Sequence, residues 1–437
     1  MADDMGWTDL ACYGNSRVET PHLDRLAADG MRFTDAYAAA PVCSPTRAAV
    51  LTGLAPARLR ITNHIPDRPS FAPEDAGFDS AATRDRLPLE QVTIAERLKG
   101  AGYATGFFGK WHLNGKSGKE GRGDAAFTPE AQGFDLNIGG CALGGPPTFF
   151  DPYRIHNLPT RRPGEYLPDR LADEVIGFVD QHHDQPFLAC LWSYAVHWPM
   201  EAPEDLVAKY EKIGEGEGLK DARYAAMVEA LDASIGRILS ALDDRGLAND
   251  TLVVFTSDNG PYLGVAEPTP LRSGKGHLYE GGVRVPLIVR WPGVVAPGRT
   301  CDVPVISMDF HPTLLGVAGI ERDDTPLDGV DLMSLFDSSG GLDRDALFFH
   351  YPNYAFHGAN TLGGAIRVGD HKLIESYEDG SVELYDLGSD LGESRDLAAK
   401  RPALAKNLLG KLRKWRESVD AAMPEEIENT RSEDQRR

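Results

Sequence analysis

The chain has five cysteines in 437 residues (Cys12, Cys43, Cys141, Cys190 and Cys301), and none forms a C-x-x-C pair or a zinc spacing. An odd count leaves at least one unpaired, so this is not a disulfide scaffold. No apolar run approaches the ~18 residues that a membrane helix needs. The chain opens on the polar M-A-D-D, with no signal peptide in view. Positive charge is scarce: 45 Lys+Arg against 66 Asp+Glu leave a net charge of -21, which excludes broad nucleic-acid binding. Hydrophobic content of 42% and charged content of 25% are ordinary for a soluble globular enzyme. The length suits one large domain plus a small one.

A more local absence is informative. From Ala36 to Pro66 there is no Asp or Glu, while Arg47, Arg58 and Arg60 are present. Such a stretch makes either a positive pocket for an anion or a buried apolar helix with few charges. Inside it lies A-P-V-C-S-P-T-R-A-A-V-L-T-G, residues 40–53, where Cys43 opens a helix two residues before Pro45 and four before Arg47. A purely structural cysteine requires none of that.

Helical and strand signals alternate along the chain, which predicts an α/β fold: a mostly parallel mixed sheet covered by helices on both faces. Helices are expected from Thr20-Pro21 to Gly30, over Val92–Lys99 and Ala172–Val179, and over about Tyr224–Leu242. Strands are expected at Tyr103–Phe108, Pro186–Trp192, Thr251–Phe255 and Leu287–Val289. After about Ser338 the pattern changes to a β-hairpin over His371–Tyr377 and Val382–Tyr385 with an Asp379-Gly380 turn. A polar helix from about Pro402 to Val419 follows. The expected organisation is a catalytic α/β domain over 1–338 and a small α+β subdomain with an antiparallel sheet over 339–437. The terminal E-E-I-E-N-T-R-S-E-D-Q-R-R reads as a frayed tail.

In open α/β sheets, function gathers beyond the carboxyl ends of the strands. Several motifs fall there. Thr251–Phe255 runs into Ser257-Asp258-Asn259-Gly260, which suits a hard cation or makes a simple Asn-Gly turn. Asp3-Asp4 is a second carboxylate pair, one that needs a cation or solvent to screen its repulsion. Tyr103–Phe108 exits into Gly109-Lys110-Trp111-His112, and Pro186–Trp192 exits toward His197-Trp198-Pro199. Lys275-Gly276 begins a glycine-rich bend that ends at Arg284-Val285-Pro286.

Together these blocks resemble the sulfatase family of the alkaline phosphatase superfamily. C-S-P-T-R is similar to its C-x-P-x-R signature, with L-T-G following at the family's distance. A-D-D-M-G-W, G-K-W-H-L, V-H-W-P, S-D-N-G and K-G-x-x-x-E-G-G-x-R-V-P resemble its other blocks, in the same order and over nearly the whole chain. Within the family the chain resembles bacterial arylsulfatase A and N-acetylgalactosamine-sulfatase-like enzymes. The resemblance implies that a maturation enzyme oxidises Cys43 to Cα-formylglycine, whose hydrate attacks sulfur. It implies that Asp3, Asp4, Asp258, Asn259 and the modified Cys43 hold Ca²⁺, with Mg²⁺ as the alternative ion. It further implies that Arg47, Lys110 and Lys275 neutralise the sulfate oxygens, that His197 and Lys275 serve the leaving alcohol, and that His112 takes the second hydroxyl's proton.

The expected substrate is a sulfated carbohydrate, with simple aryl sulfates also accepted. Two alternatives are a phosphonate or phosphate ester hydrolase of the same superfamily, and a non-catalytic sulfated-glycan binder should Cys43 stay unconverted. Residues 114–166, with Gly144-Gly145-Pro146-Pro147 and Phe149-Phe150, are expected to form rim loops. His350-Tyr351-Pro352-Asn353-Tyr354 and His357 either reach that rim or pack between domains. The family places a central strand ahead of its A-D-D block, and here that first strand is missing. The expectation is therefore a product that begins upstream and is periplasmic or secreted.

Overall fold

The computed structural model describes residues 1–214, 216, 219–321, 325–355, 357 and 360–427. In chain order the larger part contains α1 (Pro21–Ala28), β1 (Met31–Phe33), α2 (Cys43–Thr52), α3 (Ile94–Gly100), β2 (Ala104–Gly109) and β3 (Leu136–Ile138). It continues with α4 (Leu167–His182), β4 (Phe187–Trp192), α5 (Ala222–Asp244), β5 (Val253–Thr256), β6 (Leu287–Arg290) and β7 (Arg299–Cys301). The predicted helices and strands are present, with shifted ends that have local causes. Helix α3 starts after Thr93 rather than at Val92, because Thr93 and Glu96 form a reciprocal capping box. Helix α4 extends well beyond Ala172–Val179, since its first turn opens on Pro168 and carries Asp169 and Arg170, which apolar periodicity does not count.

Strands β3, β2 and β4 pair in parallel, and β5, β6, β1 and β7 form a second group in which β6 runs antiparallel to both neighbours. The tripeptide Met1–Asp3 joins the two groups. Met1 bonds to Leu191 near the end of β4 and to Ser193 just beyond it, and Ala2 bonds to Thr256 and Asp258 on the other side. Alternation in β2 shows how the sheet is covered. Phe107 packs edge-on against Trp111, Phe134 and Trp192 on the α2/α3 face, and Phe108 packs against Phe178 of α4 on the other.

The C-terminal part is an antiparallel meander, β8 (Leu347–Tyr351), β9 (Gly363–Val368), β10 (His371–Ser376) and β11 (Val382–Asp386), followed by α6 (Pro402–Ser418). Ala405, Leu408 and Leu412 of α6 bury against Ile366, Leu373 and Leu384 of the sheet. The expected hairpin is β10–β11, with Gly380 at φ 71° in its turn. Strands β8 and β9 escaped the sequence reading, because G-G-A-I-R-V shows neither clean alternation nor β-branched enrichment.

One open alternative is resolved and one expectation is corrected. His350 is buried inside the C-terminal part, bonded to the Tyr377 hydroxyl (2.7 Å) and the Ala422 carbonyl (2.8 Å), while Tyr351 is buried and donates to Asn63 Oδ1 of the larger part, so neither lines a rim. The tail expected from Glu425 onward begins with a short strand, Glu425–Glu426, paired with Phe78–Asp79; residues 428–437 lie outside the described residues.

Candidate active site

Helix α2 presents Cys43 in its first turn, and no side chain caps its amino end. The helix dipole therefore favours negative charge beside Cys43. Pro45 fits this turn because a first-turn N–H needs no intrahelical partner. One helical turn on, Arg47 is fully buried and spans several elements. Its Nε and Nη2 donate to Asp258 Oδ2 (2.9 and 2.6 Å), and its Nη1 donates to the Lys110 carbonyl (2.7 Å).

Three carboxylates and three cations meet here. Lys110 Nζ donates to both oxygens of Asp3 (2.9 and 2.7 Å), and Lys275 Nζ lies 2.8 Å from Asp4 Oδ2. Asp3 is 0% exposed, Asp4 4% and Asp258 0%. The paired acids at the start of the chain are thus neutralised inside the protein rather than solvated. Burial works to raise the Asp258 carboxyl, but Arg47 and Lys110 outweigh it and hold it below the usual carboxylate range. Burial likewise opposes the Lys275 charge, and Asp4 reverses that, keeping the ammonium well above the ordinary lysine range.

The two histidines are held in defined tautomers. His112 Nε2 donates to the Ile65 carbonyl, which leaves Nδ1 as an acceptor 3.4 Å from Cys43 Sγ. His197 Nδ1 donates to the Trp198 carbonyl (2.8 Å), turning Nε2 to within 3.7 Å of Asp4 Oδ2. Burial, with Lys110 next to it, pushes His112 well below the usual histidine value. For His197, burial together with Lys275 and Lys110 outweighs Asp4 and brings it to about 3. Both rings are therefore neutral at physiological pH.

All the site residues drawn from sequence converge on this pocket. Asn259 completes it: its Nδ2 donates to Asp4 Oδ1 (2.7 Å), while its Oδ1 is buried with no hydrogen-bond partner among the described residues. An orphaned amide oxygen beside three carboxylates is a donor set that fits a hard divalent cation. The ligand atoms of Asp3, Asp4 and His197 also lie within 4.8 Å of one another, which brings His197 to the edge of the same site.

Sequence reading missed several supporting groups. Ser44 Oγ donates to the His112 carbonyl (3.0 Å), lies 3.2 Å from His112 Nδ1, and accepts from the Ile65 N–H (3.1 Å). Its place between Cys43 and Pro45 was the available signal. Gly144 and Gly145 lie over the two histidines, where a Cβ would sit 3.0 Å from His112 Nε2 and 2.6 Å from His197 Nδ1. Glu280, inside the glycine-rich bend, bonds to Lys372 and Arg284 and ties the Lys275 loop to the C-terminal sheet.

A family model described as Sulfatase matches residues 1–320, and one described as N-sulphoglucosamine sulphohydrolase, C-terminal, matches residues 273–418. The chain is similar to arylsulfatase A of Homo sapiens, at 34% identity over 451 residues, covering 91% of this chain and 82% of that protein. It is similar to a sulfatase of Formosa agariphila at 33% identity over 487 residues, covering 95% and 87% of the two chains. The solved structure of Ps i-CgsB in complex with k-i-k-neocarrahexaose superposes with a TM-score of 0.80 at 28% identity, covering 95% of this chain and 91% of that one.

Proposed function

We propose, for a chain that belongs to the sulfatase family and is a sulfuric ester hydrolase, that it removes sulfate from sulfated carbohydrates through a formylglycine made from Cys43. The observation that carries this reading is the meeting of Asp3, Asp4 and Asp258 with Arg47, Lys110 and Lys275 around the first turn of α2.

The Cys43 sulfur stands where the hydrated aldehyde would carry its two hydroxyls. That hydrate supplies one hydroxyl as nucleophile and a second whose deprotonation lets the sulfate leave, which a serine cannot do. Asp3, Asp4, Asp258 and Asn259 would hold a divalent cation, Ca²⁺ for preference, which lowers the pKa of the attacking hydroxyl. Arg47, Lys110 and Lys275 surround the sulfuryl oxygens with positive charge, in a buried site where such charge acts strongly. His112 Nδ1, a neutral acceptor beside residue 43, takes the proton of the second hydroxyl. His197 Nε2 and Lys275 face the leaving oxygen. A bound anionic ester raises the low His197 pKa and lets the ring donate.

A carbohydrate leaving group is supported by Trp198, 56% exposed and adjacent to His197, and by the half-exposed Tyr262, since flat rings offer stacking surface to sugars. The solved relative that binds a neocarrahexaose points the same way. The test has two readouts. The mass of the residue-43 peptide should fall by the thiol-to-aldehyde difference after expression with a maturation enzyme. The converted protein should then cleave sulfated mono- or disaccharides ahead of phosphate esters. A full-mass cysteine peptide in an active preparation, or a preference for phosphate esters, would overturn the proposal.

A further inference from the structure

We propose that the outer face of α6 is a docking surface for a linear sulfated polysaccharide, which it holds to the enzyme away from the catalytic pocket. This rests on the sulfated-carbohydrate reading above. Residues 397–416 contain seven Lys and Arg and no Asp or Glu, in a chain of net charge -21. Only part of that positive charge is spent on the fold. Arg413 and Arg416 pair with the buried Glu375 of β10, Lys411 pairs with Asp345, and Arg401 bonds to His371. Lys400, Lys406 and Lys414 are exposed and form no ion pair among the described residues.

Helix geometry gathers the unspent charge. At ~3.6 residues per turn, Lys406, Arg413 and Lys414 share the side of α6 opposite Ala405, Leu408 and Leu412, which are buried against the sheet. Ala403 and Gly410 fall between these cations, so no bulky side chain keeps a polymer from the helix surface. Lys406 to Lys414 covers about 12 Å of helix axis, longer than one sugar ring. A chain bearing sulfates at intervals therefore meets several cations at once, each able to make a charge-assisted hydrogen bond. Alternation in β10 keeps this surface clear of the catalytic pocket. Leu373 and Glu375 face α6, whereas Lys372 faces Glu280 and the Lys275 loop.

Two other polyanions fit this face less well. An anionic membrane takes up a helix by its apolar face, and the apolar face of α6 is already buried in the C-terminal core. Duplex nucleic acid brings a broad, rigid surface to a molecule that is acidic elsewhere, so repulsion opposes its approach. A thin, flexible polysaccharide touches α6 alone. Anchoring it there raises the concentration of sulfate esters around the pocket without any new catalytic contact.

The test measures dextran sulfate binding by the whole chain with Cys43 unconverted, so that none of the probe is consumed, at about 50 and about 200 mM salt. Lys406→Glu/Lys414→Glu is expected to weaken binding by more than about tenfold at the lower salt, and the parent should lose most of its affinity at the higher. Arg84→Glu/Lys212→Glu changes the net charge equally, at exposed positions off the patch, and should cost less than about threefold. Both variants should keep the parent's thermal midpoint and, once residue 43 is converted, its turnover of a small aryl sulfate. Equal loss of binding in the two variants overturns the proposal, since net charge alone then accounts for it. Parent-like binding by Lys406→Glu/Lys414→Glu overturns it too, as does tighter binding of duplex DNA or phosphatidylserine vesicles than of dextran sulfate. A converted parent that cleaves no aryl sulfate refutes the formylglycine reading instead, and the binding comparison still decides the docking surface.

Discussion

His112 offers Nδ1 to the Cys43 sulfur at 3.4 Å because its other nitrogen is committed to the Ile65 carbonyl, and Ser44 binds both partners of that bond. Three neighbouring groups thus hold one ring in the orientation of a base. Replacement His112→Ala should lower kcat by roughly 100- to 10,000-fold, the usual worth of a positioned base. Ser44→Ala should cost less and leave the thermal midpoint near its parent value. Because Ser44 lies inside the C-S-P-T-R motif, kinetics are to be normalised to the converted fraction measured by peptide mass. Parent-like turnover of His112→Ala at equal conversion would refute the role.

The orphaned Asn259 Oδ1 sets a second expectation. Chelation of divalent cations should abolish most activity, and Ca²⁺ or Mg²⁺ should restore it. In Asn259→Leu the concentration of cation needed for restoration should rise by more than roughly tenfold. Direct titration of cation binding by calorimetry checks this independently of turnover. An unchanged affinity in the variant would remove Asn259 from the ligand set.

Gly145 is constrained by space alone, since a Cβ there would meet His197 Nδ1 at 2.6 Å and the Trp198 carbonyl at 2.8 Å. Gly145→Ala must push the ring from its place, and small displacements of a reacting group can cost up to roughly 100-fold in rate. The expected result is a lower kcat with an unaltered denaturation midpoint. Parent-like kinetics would show that the Gly144–Gly145 turn stands clear of the reaction.

How far the sequence could be read follows from where each signal resides. Buried strands such as Phe187–Trp192 and Val253–Thr256 announce themselves as short apolar runs, and the site blocks sit at their exits, so the α/β frame and the convergence of Cys43, Lys110, His197 and Asp258 were legible. Strand β1 is three residues long, and β9 begins with two glycines, so neither presents a period to detect. Asp3 and Asp4 were placed at the site only by the motif resemblance, because the residues themselves left their fate open. Whether adjacent acids are solvated or neutralised depends on Lys110 and Lys275, more than 100 positions away in sequence, and only the fold brings them together.

Stability should depend on pH through His350. Burial brings its pKa down to about 4 from the usual 6.5, helped by Arg416 and opposed by its bond to Ala422. Between those values the unfolded chain binds a proton that the folded chain refuses. Folding stability from this residue is therefore complete above pH 6.5 and falls as pH drops toward 4, by about 1.4 kcal/mol per pH unit. Other groups titrate in the same window, so the measurement is a difference. Denaturant midpoints of the parent should fall more steeply between pH 6.5 and 4 than those of His350→Gln. Parallel curves would contradict the assignment.

The last expectation concerns the joint between the C-terminal sheet and the Lys275 loop. Lys372 on β10 is fully buried and reaches Glu280 at 2.8 Å and Glu393 at 2.9 Å. Arg284 holds the other oxygen of Glu280 at 2.7 Å. Removing the lysine leaves two buried acids with one cation between them, and breaking such a group by one partner typically costs about 3–5 kcal/mol. Glu280 keeps Arg284, so the unpaired charge falls on Glu393, which burial already pushes up to about 7. Lys372→Met should therefore be strongly destabilised at neutral pH. Part of the loss should return on acidification, because a protonated Glu393 needs no counter-charge and the folded variant then binds a proton more readily than the unfolded chain. The double variant Lys372→Met/Glu393→Gln should recover stability at pH 7 without acid. Denaturant midpoints of the three proteins at pH 7 and pH 5 decide the matter, and a Lys372→Met protein as stable as its parent would mean that the small sheet does not brace the Lys275 loop through this contact.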